Sequence, residues 1–301
     1  MEKALESQLG FFAIISWCII SAIAYVFSGF LVINMTPFLF CFGVFFVTAL
    51  FFNILNFRKI SYKKIRANIK DISIINVTTC ACWVLTIFPL QFIEPSILNS
   101  IVLSVLPIAT LIVGLFLYKG QNINKIDYIM SAFLFCGLLF LLVISLNQKT
   151  AMMGISSQDI VISLLCCIGA GIALAINNIY AKKLSNSHFS PSEILTVRFF
   201  LIIIFSGVFT YKSIPLLFLW NNAVNIVIIA IMLIIIPQVI LQYAIKGLQP
   251  ITVSVIAPLM PVLTFFIEFF NKNLNPTVWS ISGVFYIFVI SAMAAIFRYR
   301  K

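Results

Sequence analysis

The chain has 301 residues, a formal net charge of +11, 62% hydrophobic residues and only 9% charged ones. A soluble domain carries about a quarter charged residues. Folded in water this chain would expose far more apolar surface than it could cover, which excludes a soluble enzyme, a nucleic-acid-binding domain and a disordered chain. The basic excess fits cytoplasmic membrane loops better than a nucleic-acid partner.

A helix needs about 20 apolar residues to cross the hydrocarbon core. Ten such runs follow one another: Gly10–Ile33, Pro37–Phe57, Ile72–Gln91, Pro95–Tyr118, Tyr128–Leu146, Ile160–Ala181, Pro191–Tyr211, Asn222–Ile245, Ile251–Phe270 and Thr277–Phe297. The first is preceded by Glu2 and Glu6 against Lys3, without the basic start of a signal peptide, and is expected to remain as a span. Pro37, Pro95 and Pro191 open their runs, where a missing N–H is tolerated. With the N-terminus in the cytoplasm, inside segments hold 15 Lys and Arg and outside loops hold 3, namely Lys149, Lys212 and Lys272. That bias predicts both termini inside. The weight of Ile, Asn, Lys and Phe points to a bacterial source, and so to the inner membrane.

Cys18, Cys41, Cys80, Cys82, Cys136, Cys166 and Cys167 all fall in apolar runs and form no C-x-x-C pair, so they read as small apolar residues. His188 is the lone histidine, in a polar loop, and cannot build a zinc site by itself. No catalytic residue, metal or cofactor is expected.

The halves match at an offset near 154 residues. Pro37 falls on Pro191, Phe45-Phe46 on Phe199-Phe200, Ser100 on Ser254, Pro107 on Pro261 and Thr110 on Thr264. Five spans per half is odd, so the second half enters from the opposite side. The predicted fold is an all-α polytopic membrane protein with ten transmembrane helices as two inverted five-helix repeats, 1–150 and 151–301.

Ten spans in this arrangement resemble the EamA-like branch of the drug/metabolite transporter superfamily. Ser16-Trp17-Cys18 resembles its early Trp motif, and Pro191 with Arg198 and Phe199 its Pro-x6-Arg-Phe pattern. Tyr243-Ala244-Ile245-Lys246 resembles its Tyr-Ala-Leu-Lys segment, and Leu274-Asn275-Pro276 with Trp279 and Gly283 the turn into its last helix. The chain departs from the family after its fourth and ninth spans. Tyr118-Lys119-Gly120-Gln121 and Asn271-Lys272-Asn273 stand there in place of Gly-Glu. The resemblance implies that the first, third, fourth, sixth, eighth and ninth spans surround a central cavity.

Polar stripes agree. The first span carries Trp17, Ser21, Tyr25 and Ser28, the third Asn76, Thr79, Cys80, Trp83 and Thr86, and the fourth Ser96, Ser100, Ser104 and Thr110 with Asn99 beside them. Asn177 and Asn178 mark the sixth, and Gln238 and Gln242 the eighth. Polar groups facing lipid are costly, so these stripes should face a cavity or a neighbouring helix. Trp17, Tyr25, Trp83, Asn99, Asn177, Gln238 and Gln242 are the expected substrate-binding set. Mid-span Pro107 and Pro261 are candidate hinges or static kinks. Arg198, two turns from the cytoplasmic end of its span, is expected to snorkel and to anchor or gate. Glu268 is either a proton carrier or a rim acid paired with Lys272.

The sequence carries no phosphate-cradling Gly-rich loop, so a gradient is the expected energy source. The preferred expectation is a secondary transporter of small metabolites by alternating access, an exporter by resemblance. The alternatives are a lipid or glycolipid translocase of the same fold and a non-transporting membrane partner protein. The bilayer and a small solute are the expected partners; protons and a homodimer stay open.

Overall fold

The computed structural model describes residues 2–31, 36–59, 61–93, 95–117, 125–146, 156–218, 220–268 and 277–299. Helices in chain order are α1 (Glu2–Leu31), α2 (Pro37–Asn56), α3 (Tyr62–Ala67), α4 (Ile69–Ile87), α5 (Pro95–Leu117), α6 (Lys125–Leu146) and α7 (Ser157–Asn186). They continue as α8 (Pro191–Val197), α9 (Phe200–Thr210), α10 (Trp220–Ile229), α11 (Ile236–Gly247), α12 (Pro250–Ile256), α13 (Met260–Glu268) and α14 (Val278–Tyr299). Among the described residues nine stretches are long and apolar enough to cross a membrane, and the shorter apolar stretch Ile281–Phe297 lies within α14. The protein is an all-α polytopic membrane protein. The short exposed helix α3, in the basic segment before the third span, is an element the apolar pattern did not foretell.

Local chemistry explains the ends. Ser156 caps α7 by accepting from the Asp159 N–H at 3.1 Å. At α8, Ser190 and Glu193 form a reciprocal capping box with Pro191 at the first helical position.

Three spans of the second half are interrupted. The seventh breaks between α8 and α9, where Arg198 (φ −101°, ψ −7°) and Phe199 (φ −107°, ψ 0°) leave the helix. The eighth passes through a π-helical segment, Ala230–Ile235, between α10 and α11. Pro237 follows it and has no N–H for the Leu233 carbonyl. The ninth narrows to a 3-10 turn at Ala257–Leu259 between α12 and α13. Pro261 cannot donate to the Ala257 carbonyl, and the Cys18 thiol of α1 lies 3.9 Å from that oxygen. Pro107, by contrast, sits inside an unbroken α5.

Helix α7 packs most extensively on α4 and α5, α1 on α11 and α13, α2 on α9, and α6 on α5 and α14. The main core joins buried residues of α1, α4–α7 and α11–α14, among them Ile14, Ile75, Leu98, Cys167 and Ile256. A second cluster gathers α2 with the eighth span around Phe45, Phe52 and Phe199. Outward faces carry Phe46, Leu50, Ile54, Phe116, Ile204 and Phe285, apolar and exposed, as lipid requires.

The α5–α7 contact depends on Gly171. A Cβ there would meet the Val102 carbonyl oxygen and the Val105 Cβ at 2.7 Å each. At Gly169 the nearest atom is the flexible Leu85 Cδ1, at 3.1 Å. Gly171→Ala should therefore cost about 1–3 kcal/mol through overpacking, whereas Gly169→Ala stays near the parent. Thermal unfolding of the two purified variants in one detergent checks this; equal midpoints would show that the helices do not rely on this contact.

Candidate functional site

The break at Arg198 is built by side chains of α4. In a continuous helix the Leu201 N–H would donate to the Val197 carbonyl. Instead the Asn76 amide stands between them. Its Nδ2 donates to the Val197 oxygen at 2.6 Å, and its Oδ1 accepts from the Leu201 N–H at 3.3 Å. One side chain satisfies both members of this interrupted pair, as an apolar environment favours.

The break turns Arg198 inward. Its side chain is 3% exposed. Nε donates to Thr79 Oγ1 at 3.3 Å, Nη1 to Gln238 Oε1 at 3.2 Å, and Nη2 to Asn177 Oδ1 at 2.9 Å. Asn177 Nδ2 lies within bonding range of Thr79 Oγ1 (2.8 Å), Thr78 Oγ1 (3.1 Å) and the Ile75 carbonyl (3.2 Å). The guanidinium thus ties the seventh span to α4, α7 and α11. Phe199 packs on Phe45 with ring centroids 5.3 Å apart, and Phe45 on Trp83 at 5.1 Å.

Arg198 does not snorkel, contrary to the expectation from its position in the sequence. The physical reason is the break: two residues off the helix aim the side chain across the bundle, where three neutral oxygens receive it. A charge deep in a span costs about 2.5–3.5 kcal/mol on insertion scales. Hydrogen bonds to a charged donor contribute on the order of 1.5–3 kcal/mol each, so three of them hold it in place.

Beside this network lies a cavity of about 60 Å³. Its wall takes Trp17 from α1; Thr79, Cys82, Trp83 and Thr86 from α4; Asn99, Val102 and Leu103 from α5; Leu174 and Asn177 from α7; and Arg198. Gln238 and Leu241 of α11 and Met260 of α13 complete it. Five of the seven residues expected to bind substrate therefore meet at one cavity: Trp17, Trp83, Asn99, Asn177 and Gln238. Arg198, expected at a gate, joins them. Gln242 lies one turn beyond Gln238, buried, with neither amide atom bonded. Pro107 and Pro261 are buried outside the wall, Pro261 next to the lining Met260. Tyr25 belongs to α1 and Glu268 ends α13, but both side chains lie outside the described residues, as does Lys272.

Asn76 and Thr79 were visible in the sequence as members of a polar stripe, yet their tasks, splinting a break and orienting a guanidinium, were not. The signal was a large amide three residues before a threonine in an otherwise apolar span. The cysteines also need revision. All seven are free, but Cys82 faces the cavity and Cys136 is exposed, so neither is plain core. A larger groove, about 330 Å³, is lined by Ile108, Leu111, Ile112, Leu115 and by Tyr128, Ser131, Ala132 and Phe135 of α6. It shares no residue with the polar cavity.

If Asn76 splints the break, Asn76→Ala leaves a buried carbonyl and N–H without partners. That costs on the order of 1–3 kcal/mol per group, and the unfolding midpoint falls. Asn53→Ala is the control, since Asn53 bonds only the Ala49 carbonyl of its own helix. Equal midpoints for the two variants would remove Asn76 from this role.

Comparison with known proteins agrees with this architecture. Residues 161–296 match the model of the EamA-like transporter family. One solved crystal structure superposes with a TM-score of 0.69 at 12% identity, covering 98% of this chain and 99% of its own, a likeness of fold. No curated protein matches the sequence significantly. Over residues 161–296, a little under half of the chain, the sequence is similar to the EamA-like transporter family.

Proposed function

We propose that this protein is a secondary-active transporter of small metabolites working by alternating access, an exporter in the bacterial inner membrane with both termini in the cytoplasm. The observation that carries the reading is the cavity. Helices from both halves of the chain converge on it, with tryptophans and amides on its wall. Such a mixture of apolar wall and few polar groups suits a small amphipathic solute.

The organisation we propose is two inverted five-helix repeats, 1–150 and 151–301. The helix packing supports it. Exchanging the halves turns the contact of the third span with the sixth (α4 on α7) into that of the eighth with the first (α11 on α1). It turns the fourth on the sixth (α5 on α7) into the ninth on the first (α13 on α1). It leaves α2 on α9, α5 on α13 and α6 on α14 unchanged. The main contacts thus obey the two-fold exchange that alternating access uses.

Polar ties gather at the end bearing the basic loops. Lys64 Nζ lies 2.8 Å from Glu193 Oε2 and donates to the His188 carbonyl at 2.9 Å. Lys182 donates to the Lys246 carbonyl at 2.6 Å, and Lys246 pairs with Glu6 at 3.5 Å. Thr110 and Ser254 of the fourth and ninth spans share a 2.7 Å hydrogen bond. Their repeat equivalents, Thr264 and Ser100, instead bond their own helices, to Met260 and Ser96. This asymmetry fits a state latched on the cytoplasmic side. A cavity of about 60 Å³ is far below the roughly 300–1,000 Å³ of small-molecule sites, as a contracted resting state would be. Glu268 remains the candidate for proton coupling.

The test compares metabolites in medium and cytosol of cells making the intact chain or the Asn99→Ala/Gln238→Ala double variant, at equal membrane abundance. The intact chain should shift at least one compound several-fold toward the medium, and the double variant should not. If no soluble compound shifts, metabolite transport is wrong, and bilayer lipid asymmetry becomes the readout for the translocase reading.

A further inference from the structure

Arg198 has donors left over. A guanidinium carries five N–H groups, and three are spent on Thr79, Gln238 and Asn177. Every one of those partners is neutral. Among the described residues the ion pairs are Lys64–Glu193 and Lys246–Glu6, and neither includes Arg198. Among the described residues no Asp or Glu lines the cavity. The wall holds a second unspent donor group, the Asn99 Nδ2, buried and without a partner; Asn99 itself is 4% exposed. The residue bearing this full positive charge and unspent donors, and the asparagine with an unpaired amide NH₂, therefore line one small cavity, with no carboxylate on its wall among the described residues. Uncompensated donors and charge in a low-dielectric site are costly when left unmade.

We propose that the cavity binds the carboxylate of a small organic acid through Arg198, with Asn99 as a further donor and the acid's apolar body against Trp17, Trp83 and Leu103. The proposal rests on the transport reading of the same cavity and adds the substrate's charge class to it. A planar carboxylate matches the guanidinium fork. The contracted cavity suits the group in size. One water needs about 10–15 Å³ of such space, so about 60 Å³ accommodates a carboxylate and its first carbon. Thr79, Asn177 and Gln238 are then positioning residues: they fix the guanidinium without cancelling its charge. No carboxylate of the protein is needed at the site, because the substrate brings it.

The probe is the soluble metabolite pool of producing cells, resolved by mass spectrometry and sorted by charge at pH 7. Cells make the intact chain, Arg198→Gln, Arg198→Lys or Asn99→Asp at matched membrane abundance. The compounds shifted by the intact chain should carry a carboxylate and no compensating positive group. Arg198→Gln should reduce their shift by about tenfold or more, as expected when a recognised polar group loses its partner, and Arg198→Lys should keep part of it. Asn99→Asp places a carboxylate in the cavity and should block the same acids, so it decides the matter if Arg198→Gln fails to reach the membrane. Shifted compounds that are neutral or cationic overturn the carboxylate proposal and leave transport standing. So does unchanged acid transport in Arg198→Gln or Asn99→Asp. Equal loss in Arg198→Gln and Arg198→Lys, with Asn99→Asp unaffected, would make Arg198 a structural tie only. No shifted compound at all overturns the transport reading itself, and this proposal with it.

Discussion

A guanidinium inside a hydrophobic bundle must be surrounded by oxygen, and the bundle is arranged so that this happens. Arg198 can point inward only because the seventh span leaves its helix at Arg198 and Phe199. That departure is eased by Asn76, which takes up the Val197 carbonyl and the Leu201 N–H. The inward charge then needs acceptors, which arrive from three other helices as Thr79, Asn177 and Gln238. Each step depends on the one before it. The cavity is what remains beside the network once these side chains have taken their places.

The other interruptions lie beside the same cavity. Pro237 lies just past the π-helical stretch and immediately before Gln238, which receives Arg198. Pro261 frees a carbonyl that faces the Cys18 thiol, next to the lining residues Met260 and Trp17. All three irregular spans lie in the second half of the chain and come from segments that reach the cavity. Pro107, 154 residues before Pro261, leaves its own helix intact. On the proposed two-repeat reading, the halves differ in backbone detail, and the difference places the charge on one side only. Val44, 154 residues before Arg198, is wholly buried in the apolar cluster around α2.

Much of this was legible in the sequence because membrane spans leave few ways to place polar residues. Trp17, Trp83, Asn99, Asn177 and Gln238 stood out as large groups on helical stripes, and one wall collects them. The broken seventh span was not legible. Arg198-Phe199 contains neither glycine nor proline, so nothing local marks a stop; the cause is Asn76, more than a hundred residues away. Snorkelling was a sound inference from depth along a straight helix, and it fails because the helix is not straight there. The Lys64–Glu193 tie was hidden for a similar reason, since loop charges reveal their pairing only once the helices are placed.

The most direct test asks whether the cavity is wet and positive. Cys82 lies on its wall and is a free thiol. With the other six cysteines replaced, the protein in liposomes would be treated with methanethiosulfonate reagents of similar size, one anionic and one cationic, and with a membrane-permeant neutral one. The account predicts that Cys82 reacts with the charged reagents from the water phase, the anionic one faster, and that Arg198→Gln removes that preference. Reaction with the permeant reagent alone, or faster reaction with the cationic one, would contradict it.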